Sequence, residues 1–140
     1  MTQQNPAGTI RVIVVDDDAI VRETLSSILD SEPDIDVIAT ADNGAEAVAL
    51  VHERTVDVAL MDIQMPVLDG VEATSRIRKT SERTRVLLLT TFDEDTFLDG
   101  GIAAGASGFL LKTTRSSEIA EVIRTIHAGG KVLSPGPTKR

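Results

Sequence analysis

Five polar residues stand where apolar stretches of the chain end, and their side chains could bind a cation and neutralise a charged group. Asp16, Asp17 and Asp62 each come at or just after the end of a run of aliphatic residues, and so do Thr90 and Lys112. In open α/β sheets, ligands bind beyond the carboxyl ends of the strands. If the runs are neighbouring parallel strands, these side chains converge at one edge of a sheet.

Three converging carboxylates require a cation. Two unit charges about 4 Å apart repel by roughly 4 kcal/mol at an effective dielectric constant of about 20. The chain has no Cys and only two His residues, neither of them near these carboxylates. Oxygen ligands alone favour Mg²⁺ over a transition metal. The sequence therefore predicts a magnesium site.

The same groups suit the transfer of a phosphoryl group to a carboxylate. A carboxylate nucleophile can form an aspartyl-phosphate. Phosphoryl transfer depends mainly on positioning and on neutralisation of the phosphoryl oxygens. A divalent ion, the ammonium group of Lys112 and the hydroxyl of Thr90 can each contact one of those oxygens. Thr91 is adjacent to Thr90, so a shift of one residue in register would exchange the two.

Strands and helices must alternate along the chain to position these groups. Parallel strands covered on both faces are typically continuous apolar runs. Five βα units in series predict an α/β fold, a flavodoxin-like doubly wound five-stranded parallel sheet with strand order 2-1-3-4-5. The predicted strands are Ile10–Val15, Ile35–Ala39, Val56–Met61, Val86–Leu89 and Gly108–Leu111.

The helix boundaries follow from capping residues. We expect the first helix to end near Ser31, before Pro33. Asp17 or Asp18 could cap its beginning, and for Asp17 this role is an alternative to metal binding. Asp42 or Asn43 could cap the second helix. The fifth helix has apolar residues at i, i+3, i+4 and i+7 and stops at Gly129.

The fourth helix, from about Asp95 to Ala104, is predicted to be the weakest. Gly100 and Gly101 lie in its middle, and each costs about 1 kcal/mol relative to Ala. Its stability must come from packing, which makes it a candidate for the mobile part of the domain.

Composition excludes several classes of protein. The 140 residues carry a net charge of −8, which argues against direct binding to nucleic acid. Absence of Cys excludes a disulfide framework. Residues 1–9 are polar and lack the apolar core of a secretory signal, and we expect them to be a disordered tail. No apolar run approaches the ~18 residues of a membrane span, so we expect a cytoplasmic protein without membrane contact.

Four motifs resemble the receiver domains of two-component response regulators, which have the CheY-like form of the predicted fold. The resemblance covers nearly the whole chain after Thr9. The motifs are VVDDD at 14–18, MDIQMPVLDG at 61–70, LTT at 89–91 and GASGFLLK at 105–112.

The resemblance implies a role for each matching residue. Asp62 would be phosphorylated by a sensor histidine kinase in a Mg²⁺-dependent reaction. Asp16, Asp17, Asp62 and the backbone carbonyl of Gln64 would hold the Mg²⁺. Thr90 and Lys112 would stabilise the phosphoryl group. Thr90 and Phe109 would act as the switch, although an aromatic residue in a strand is more commonly part of the core.

The motifs around Thr90 and Lys112 are most similar to the NarL/FixJ type of regulator. That resemblance implies a receiver domain over 10–129 and a linker over 130–140 to a LuxR-type helix-turn-helix domain that is absent from this chain. Phosphorylation would favour a homodimer and control transcription, with DNA bound only through the missing domain. The receiver would not be an enzyme, although it would assist its own phosphorylation and dephosphorylation.

Two residues depart from the family pattern, and two other functions remain as alternatives. Thr113 stands where many receivers have Pro, and Asp18 stands where this subfamily often has His. A Mg²⁺-dependent aspartyl-phosphate phosphatase would need a cap insertion and a second acid at Gln64. A flavin or nucleotide binder would need a phosphate loop after the first strand, where acidic residues would repel phosphate.

Overall fold

Five parallel strands form a single sheet in the order β2-β1-β3-β4-β5, which confirms the predicted topology. The computed structural model describes residues 9–91 and 96–132. The strands are β1 (Ile10–Val15), β2 (Ile35–Ala41), β3 (Val58–Asp62), β4 (Arg85–Thr90) and β5 (Gly108–Leu111), and the helices are α1 (Ala19–Asp30), α2 (Gly44–Glu53), α3 (Gly70–Thr80), α4 (Thr96–Ala104) and α5 (Ser116–His127).

Alternate residues of each strand face two separate apolar cores. Along β1, Val12 and Val14 face the core that α1 and α5 cover, while Ile13 and Val15 face the core that α2 and α3 cover. All four side chains are almost completely buried. Burial on both faces explains why the strands read as continuous apolar runs rather than as alternating ones.

Side-chain caps set the beginnings of the first three helices. The carboxylates of Asp18 and Asp69 and the amide oxygen of Asn43 each accept backbone N–H groups of the helix that follows. The sequence left Asp17 and Asp18 as alternatives at the first helix and Asp42 and Asn43 at the second. The structure places Asp18 and Asn43 at the caps.

Strand boundaries differ from the predicted ones by one or two residues. β2 continues to Ala41, and β3 runs from Val58 to Asp62 instead of from Val56 to Met61. Asp62 and Thr90 are therefore the last residues of their strands rather than residues of the following loops. A strand ends where its hydrogen bonds to the neighbouring strand end, and here the pairing extends to Asp62 with Leu89. The hydrophobicity of the sequence alone does not predict that position.

Both edges of the sheet are covered. At β2, Asp30 accepts the N–H of Val37 at 3.0 Å and Arg54 donates to the carbonyl of Ile38 at 3.0 Å. At β5, the chain returns after α5 so that the carbonyl of Val132 accepts the N–H of Phe109 at 2.7 Å.

The remaining predicted linker, 133–140, and most of the predicted N-terminal tail lie outside the described residues. No helix among the described residues is long and apolar enough to cross a membrane.

Arg124 ties α5 to the loop between α1 and β2. Its guanidinium contacts Asp34 through two hydrogen bonds of 2.8 and 2.9 Å, and it also contacts Glu32 and Glu121. The hydrogen bonds from Arg124 lower the pKa of Asp34 below its ordinary 3.8, and those to Asp34 and Glu32 raise the pKa of Arg124. A bidentate pair of this kind gives geometric specificity as well as energy.

We expect Arg124→Met to lower the free energy of unfolding by about 1 kcal/mol at neutral pH, since the network is part-exposed. The pKa of Asp34 is depressed in the folded state, so this stabilisation is present above the ordinary value of 3.8 and is lost as the pH falls through the folded value. Urea unfolding across that pH range would measure it. Arg76→Met, at an exposed position of α3, is the control, and an equal loss in both variants would contradict the assignment.

Candidate functional site

Three carboxylates meet beyond the carboxyl ends of β1 and β3, as the sequence predicts. One oxygen from each of Asp16, Asp17 and Asp62 lies within 4.8 Å of the others. Asp16 and Asp62 are 1% and 4% exposed, whereas Asp17 is open to solvent. The neighbouring positions of β1 and β3 in the sheet produce the convergence. The cluster is therefore accessible to a ligand from the side of Asp17.

Lys112 brings a positive charge into this cluster. It directly follows β5, and its Nζ lies 2.9 Å from Oδ2 of Asp62 and 3.7 Å from Oδ2 of Asp16. Its backbone N–H donates to the carbonyl of Thr90 at 2.8 Å, which fixes the start of the side chain at the end of β4. The last strand of the sheet thereby reaches across β4 to the acidic residues of β1 and β3.

The pKa shifts of the pair follow from burial and charge. Burial raises the pKa of Asp62; the hydrogen bond and charge of Lys112 offset this only in part, and the charges of Asp16 and Asp17 raise it further. Burial lowers the pKa of Lys112, but the hydrogen bond and charge of Asp62, with the charges of Asp16 and Asp17, outweigh it and leave that pKa above its ordinary value. Burial therefore opposes the charged form of Asp62, and its contact with Lys112 favours that form.

The donor atoms suit a divalent cation. Oδ1 of Asp16 accepts the N–H of Asp18 at 2.9 Å, but none of the described residues donates a hydrogen bond to the buried Oδ2. Three carboxylates and one ammonium leave a net charge of −2 (−3 + 1). Oxygen ligands with this charge fit Mg²⁺. The contribution predicted for the backbone carbonyl of Gln64 stays a prediction.

Two neighbours of the cluster have structural roles: that of Asp18 was one of two alternatives predicted from the sequence, and that of Arg22 was not predicted. Asp18 is the N-cap of α1, and its Oδ1 accepts the N–H groups of Ile20 and Val21 at 2.9 and 3.2 Å. Arg22, one turn into α1, donates to the backbone carbonyl of Asp16 at 2.8 Å. The i+4 spacing of Arg22 from the cap was the available signal, but an arginine on an amphipathic helix is too common to be distinctive.

The loop between β3 and α3 folds tightly beneath Asp62. The N–H of Leu68 donates to the carbonyl of Pro66 at 2.7 Å, and the residue between them, Val67, has a φ of 72°. This is a γ-turn of the strained kind, with a β-branched residue in the left-handed region. At the far end of the loop, a Cβ on Gly70 would lie 2.4 Å from the carbonyl oxygen of Asp62. Only glycine lets α3 begin so close to the backbone of Asp62.

The two residues predicted to form a switch are both buried. Thr90 ends β4, one residue beyond Leu89, the register partner of Asp62, and its hydroxyl donates to the carbonyl of Thr91 at 3.1 Å. Phe109 is 0% exposed and lies in the core that α2 and α3 cover. The structure brings Thr90 to the edge that carries the carboxylates and places Phe109 behind that edge.

Comparison with known proteins gives one consistent result. Residues 12–124 match the family model of the response regulator receiver domain. The chain is 44% identical over 126 residues to the transcriptional regulatory protein LnrK of Bacillus subtilis (strain 168), covering 90% of this chain and 57% of LnrK. It is 41% identical over 127 residues to the response regulator protein VraR of Staphylococcus aureus (strain NCTC 8325 / PS 47), covering 91% of this chain and 61% of VraR.

A solved structure gives the same result for the fold. The two-component response regulator of the LuxR family from Aurantimonas sp. SI85-9A1 superposes with a TM-score of 0.83 at 35% identity, covering 90% of each chain. The present chain spans only 57% and 61% of the length of the two curated relatives. The similarity to those relatives therefore concerns their receiver portion.

We expect Mg²⁺ to stabilise the wild-type domain by about 1.4 kcal/mol at a tenfold excess over its Kd, as RT ln(1 + [L]/Kd) requires. Asp16→Asn and Asp62→Asn should lose most of this increment because each removes a ligand and a negative charge. Thermal unfolding with Mg²⁺ and with EDTA would measure it.

Asp18→Asn is the matched control for the magnesium experiment. Asp18 adjoins the cluster, but its carboxylate caps α1, and Asn caps a helix as well as Asp does. This variant should keep the full increment. If it lost as much as Asp16→Asn, the Mg²⁺ effect would have to be assigned to the general charge of this loop.

We expect Lys112→Met to lower the free energy of unfolding without metal by about 2 kcal/mol, because two buried carboxylates lose their cationic partner. Adding Asp62→Asn to that variant should recover much of the loss, since it removes one of the repelling charges. A double-mutant cycle in urea with EDTA would measure the coupling. Additive costs would show that Lys112 and Asp62 do not act as a pair.

Proposed function

The chain belongs to the response regulator receiver domain family, and from this premise we propose that it is a switch in which Asp62 accepts a phosphoryl group from a sensor histidine kinase. The observation that carries the proposal is the contact of 2.9 Å between Nζ of Lys112 and Oδ2 of Asp62, inside a cluster of three carboxylates. The ammonium group of Lys112 lies close to Asp62 and, at 3.7 Å, to Asp16, and the three carboxylates still carry the negative charge that a divalent ion would neutralise.

In the proposed reaction, a carboxylate oxygen of Asp62 attacks the phosphorus of a phosphohistidine. The new O–P bond forms as the N–P bond breaks, and the imidazole leaves with the bonding electron pair. Lys112 faces the oxygen atoms that gain charge in the transition state. Asp16, Asp17, Asp62 and the carbonyl of Gln64 would hold Mg²⁺, which supplies charge neutralisation at the phosphoryl oxygens when it is bound.

The same groups would serve the return reaction. Attack of water on the aspartyl-phosphate needs the same neutralisation of phosphoryl oxygens, so Lys112 and the metal ligands assist dephosphorylation as well as phosphorylation. The domain is thus proposed to be a switch that assists its own chemistry on a single Asp and not an enzyme that acts on external substrates.

The output of the switch is proposed to pass through Thr90 and Phe109. The Thr90 hydroxyl would leave the carbonyl of Thr91 and turn to the phosphoryl group. The buried ring of Phe109 would then rearrange. The face built from α4, β5 and α5 would then change and favour a homodimer. Shifting a bistable element by adding phosphoryl charge is an established way to move a population.

The relatives support a role in transcription. One is named a transcriptional regulatory protein, and the superposed structure is of the LuxR family. We propose that the full protein is cytoplasmic, that it controls transcription, and that it contacts DNA through a C-terminal domain joined to the receiver by the segment 130–140. The net charge of −8 on this chain fits a receiver that does not itself bind DNA.

We expect incubation with a small-molecule phosphodonor and Mg²⁺ to add about 80 Da, one phosphoryl group, to the intact protein. Asp62→Asn should abolish the gain because it removes the nucleophile. Lys112→Met should slow the gain by at least about tenfold, which corresponds to about 1.4 kcal/mol of transition-state stabilisation. Time-resolved intact mass spectrometry would measure both effects.

Asp69→Asn is the control for the phosphorylation experiment. Asp69 lies on the loop that follows Asp62, is exposed and caps α3. Asn at this position preserves the cap. It should be phosphorylated at the wild-type rate. A gain of mass that persisted in Asp62→Asn would overturn the assignment of the acceptor.

A further inference from the structure

The ring of Phe109 occupies space that exists only because residue 101 is glycine. A Cβ built on Gly101 would lie 2.1 Å from Cζ and 2.9 Å from Cε2 of Phe109, and 3.0 Å from Cδ1 of Leu88. Real Cβ atoms do not approach other atoms to 2.1 Å. The edge of the ring therefore fills the place where any other residue at 101 would carry its side chain.

The backbone of Gly101 has little freedom to retreat. Its carbonyl accepts two hydrogen bonds that end α4, from the N–H of Gly105 at 3.1 Å and from the N–H of Ala106 at 3.0 Å. Gly105 has a φ of 105°, and Arg78 of α3 packs against it. The end of α4 is thus tied both to α3 and to the chain that enters β5. A clash at 101 would fall mainly on the ring.

Gly100 stands beside Gly101 but has a different environment. The nearest atom to a Cβ built on Gly100 is Cγ1 of Val71, at 3.6 Å, which is an ordinary van der Waals contact. A methyl group at 100 therefore fits without rearrangement. Both glycines cost helix propensity, but only the one at 101 has a steric reason to be glycine.

The ring contact is connected by short paths to the phosphorylation site. Phe109 pairs with Leu88 in the register of β5 and β4. Lys112, whose ammonium contacts Asp62, lies three residues after Phe109, and Thr90 lies two residues after Leu88. The two strands that carry the cation and the hydroxyl of the site also carry the two side chains that meet Gly101.

We propose that Gly101 is the positioning residue of the switch. Because it has no side chain, the Phe109 ring can lie inside the core at rest and in contact with α4, which couples the ring to the position of α4. Because the ring lies directly against the backbone of α4 at Gly101, a movement of either one changes the packing of the other. The inference rests on the proposed function, since it concerns how the phosphorylated site reaches α4.

Selective ¹³C labelling of phenylalanine rings tests the coupling. The chain has three Phe residues, so the spectrum is simple, and Phe109→Leu identifies the signal of Phe109. We expect the wild type and Gly100→Ala to show a nuclear Overhauser effect between the Phe109 ring and the Leu88 methyl groups. Gly101→Ala should lose this nuclear Overhauser effect. Because its Phe109 ring would be displaced toward solvent, a soluble gadolinium chelate should broaden the ring signals at least twofold more than in the wild type.

Beryllofluoride with Mg²⁺, a mimic of the phosphoryl group, tests the link to the site. We expect the amide shift changes it induces over 101–106 to be at least halved in Gly101→Ala and unchanged in Gly100→Ala. An unaltered Phe109 ring signal and an unaltered response in Gly101→Ala would overturn the inference. If the wild type itself fails to bind the mimic, the proposed function fails, while the ring comparison still tests the steric claim.

A second variant covers the outcome in which Gly101→Ala does not fold. Phe109→Leu removes the ring atoms that the new methyl group would meet, so Gly101→Ala with Phe109→Leu should fold and should melt above Gly101→Ala alone. Failure of this double variant to recover any thermal stability would contradict the proposal, because the clash would then not be with the ring.

Discussion

Repulsion among three carboxylates is the constraint around which the carboxyl edge of the sheet is arranged. Asp16 and Asp62 are buried together, and Lys112 forms ion pairs with both. The strand order makes this balance possible, because it sets β1 beside β3, which bring the acids, and lets Lys112 reach them from the end of β5 across β4. Burial, together with the smaller contribution of the charges of Asp16 and Asp17, raises the pKa of Asp62 in spite of the contact with Lys112. A site that were neutral at rest would have no demand for Mg²⁺ and little attraction for a metal-bound phosphoryl group.

The topology and the members of the acidic site could be predicted because they depend on local patterns. Continuous apolar runs specify buried parallel strands, and strand ends specify where Asp16, Asp62, Thr90 and Lys112 meet. The caps of the first two helices were each predicted to within two adjacent residues, and the structure has Asp18 and Asn43 there, because capping depends on short-range hydrogen bonds. Ends of strands were displaced by up to two residues, because pairing with a neighbour and not hydrophobicity decides where a ladder stops.

Features that depend on distant contacts were not visible in the sequence. Gly101 was interpreted as a weakness of α4, whereas its environment shows close packing against Phe109, a residue of another strand. The left-handed φ of Val67 contradicts the preference of a β-branched residue, and the turn that contains it is held by a distant contact, since the carbonyl of Leu68 accepts the N–H of Gly44. Arg124 reads as one basic residue on an amphipathic helix until the fold brings it to Asp34, 90 positions earlier in the chain.

The return of the chain to the open edge of β5 has a mechanical consequence. Val132 exchanges hydrogen bonds with Ser107 and Phe109, so the backbone that leaves the domain is attached to the strand that holds the aromatic ring and precedes Lys112. A pull on any segment that continues beyond this point would load β5 in shear before it reached the other four strands. Force on an attached domain would therefore reach the strand that precedes Lys112, next to the proposed phosphorylation site.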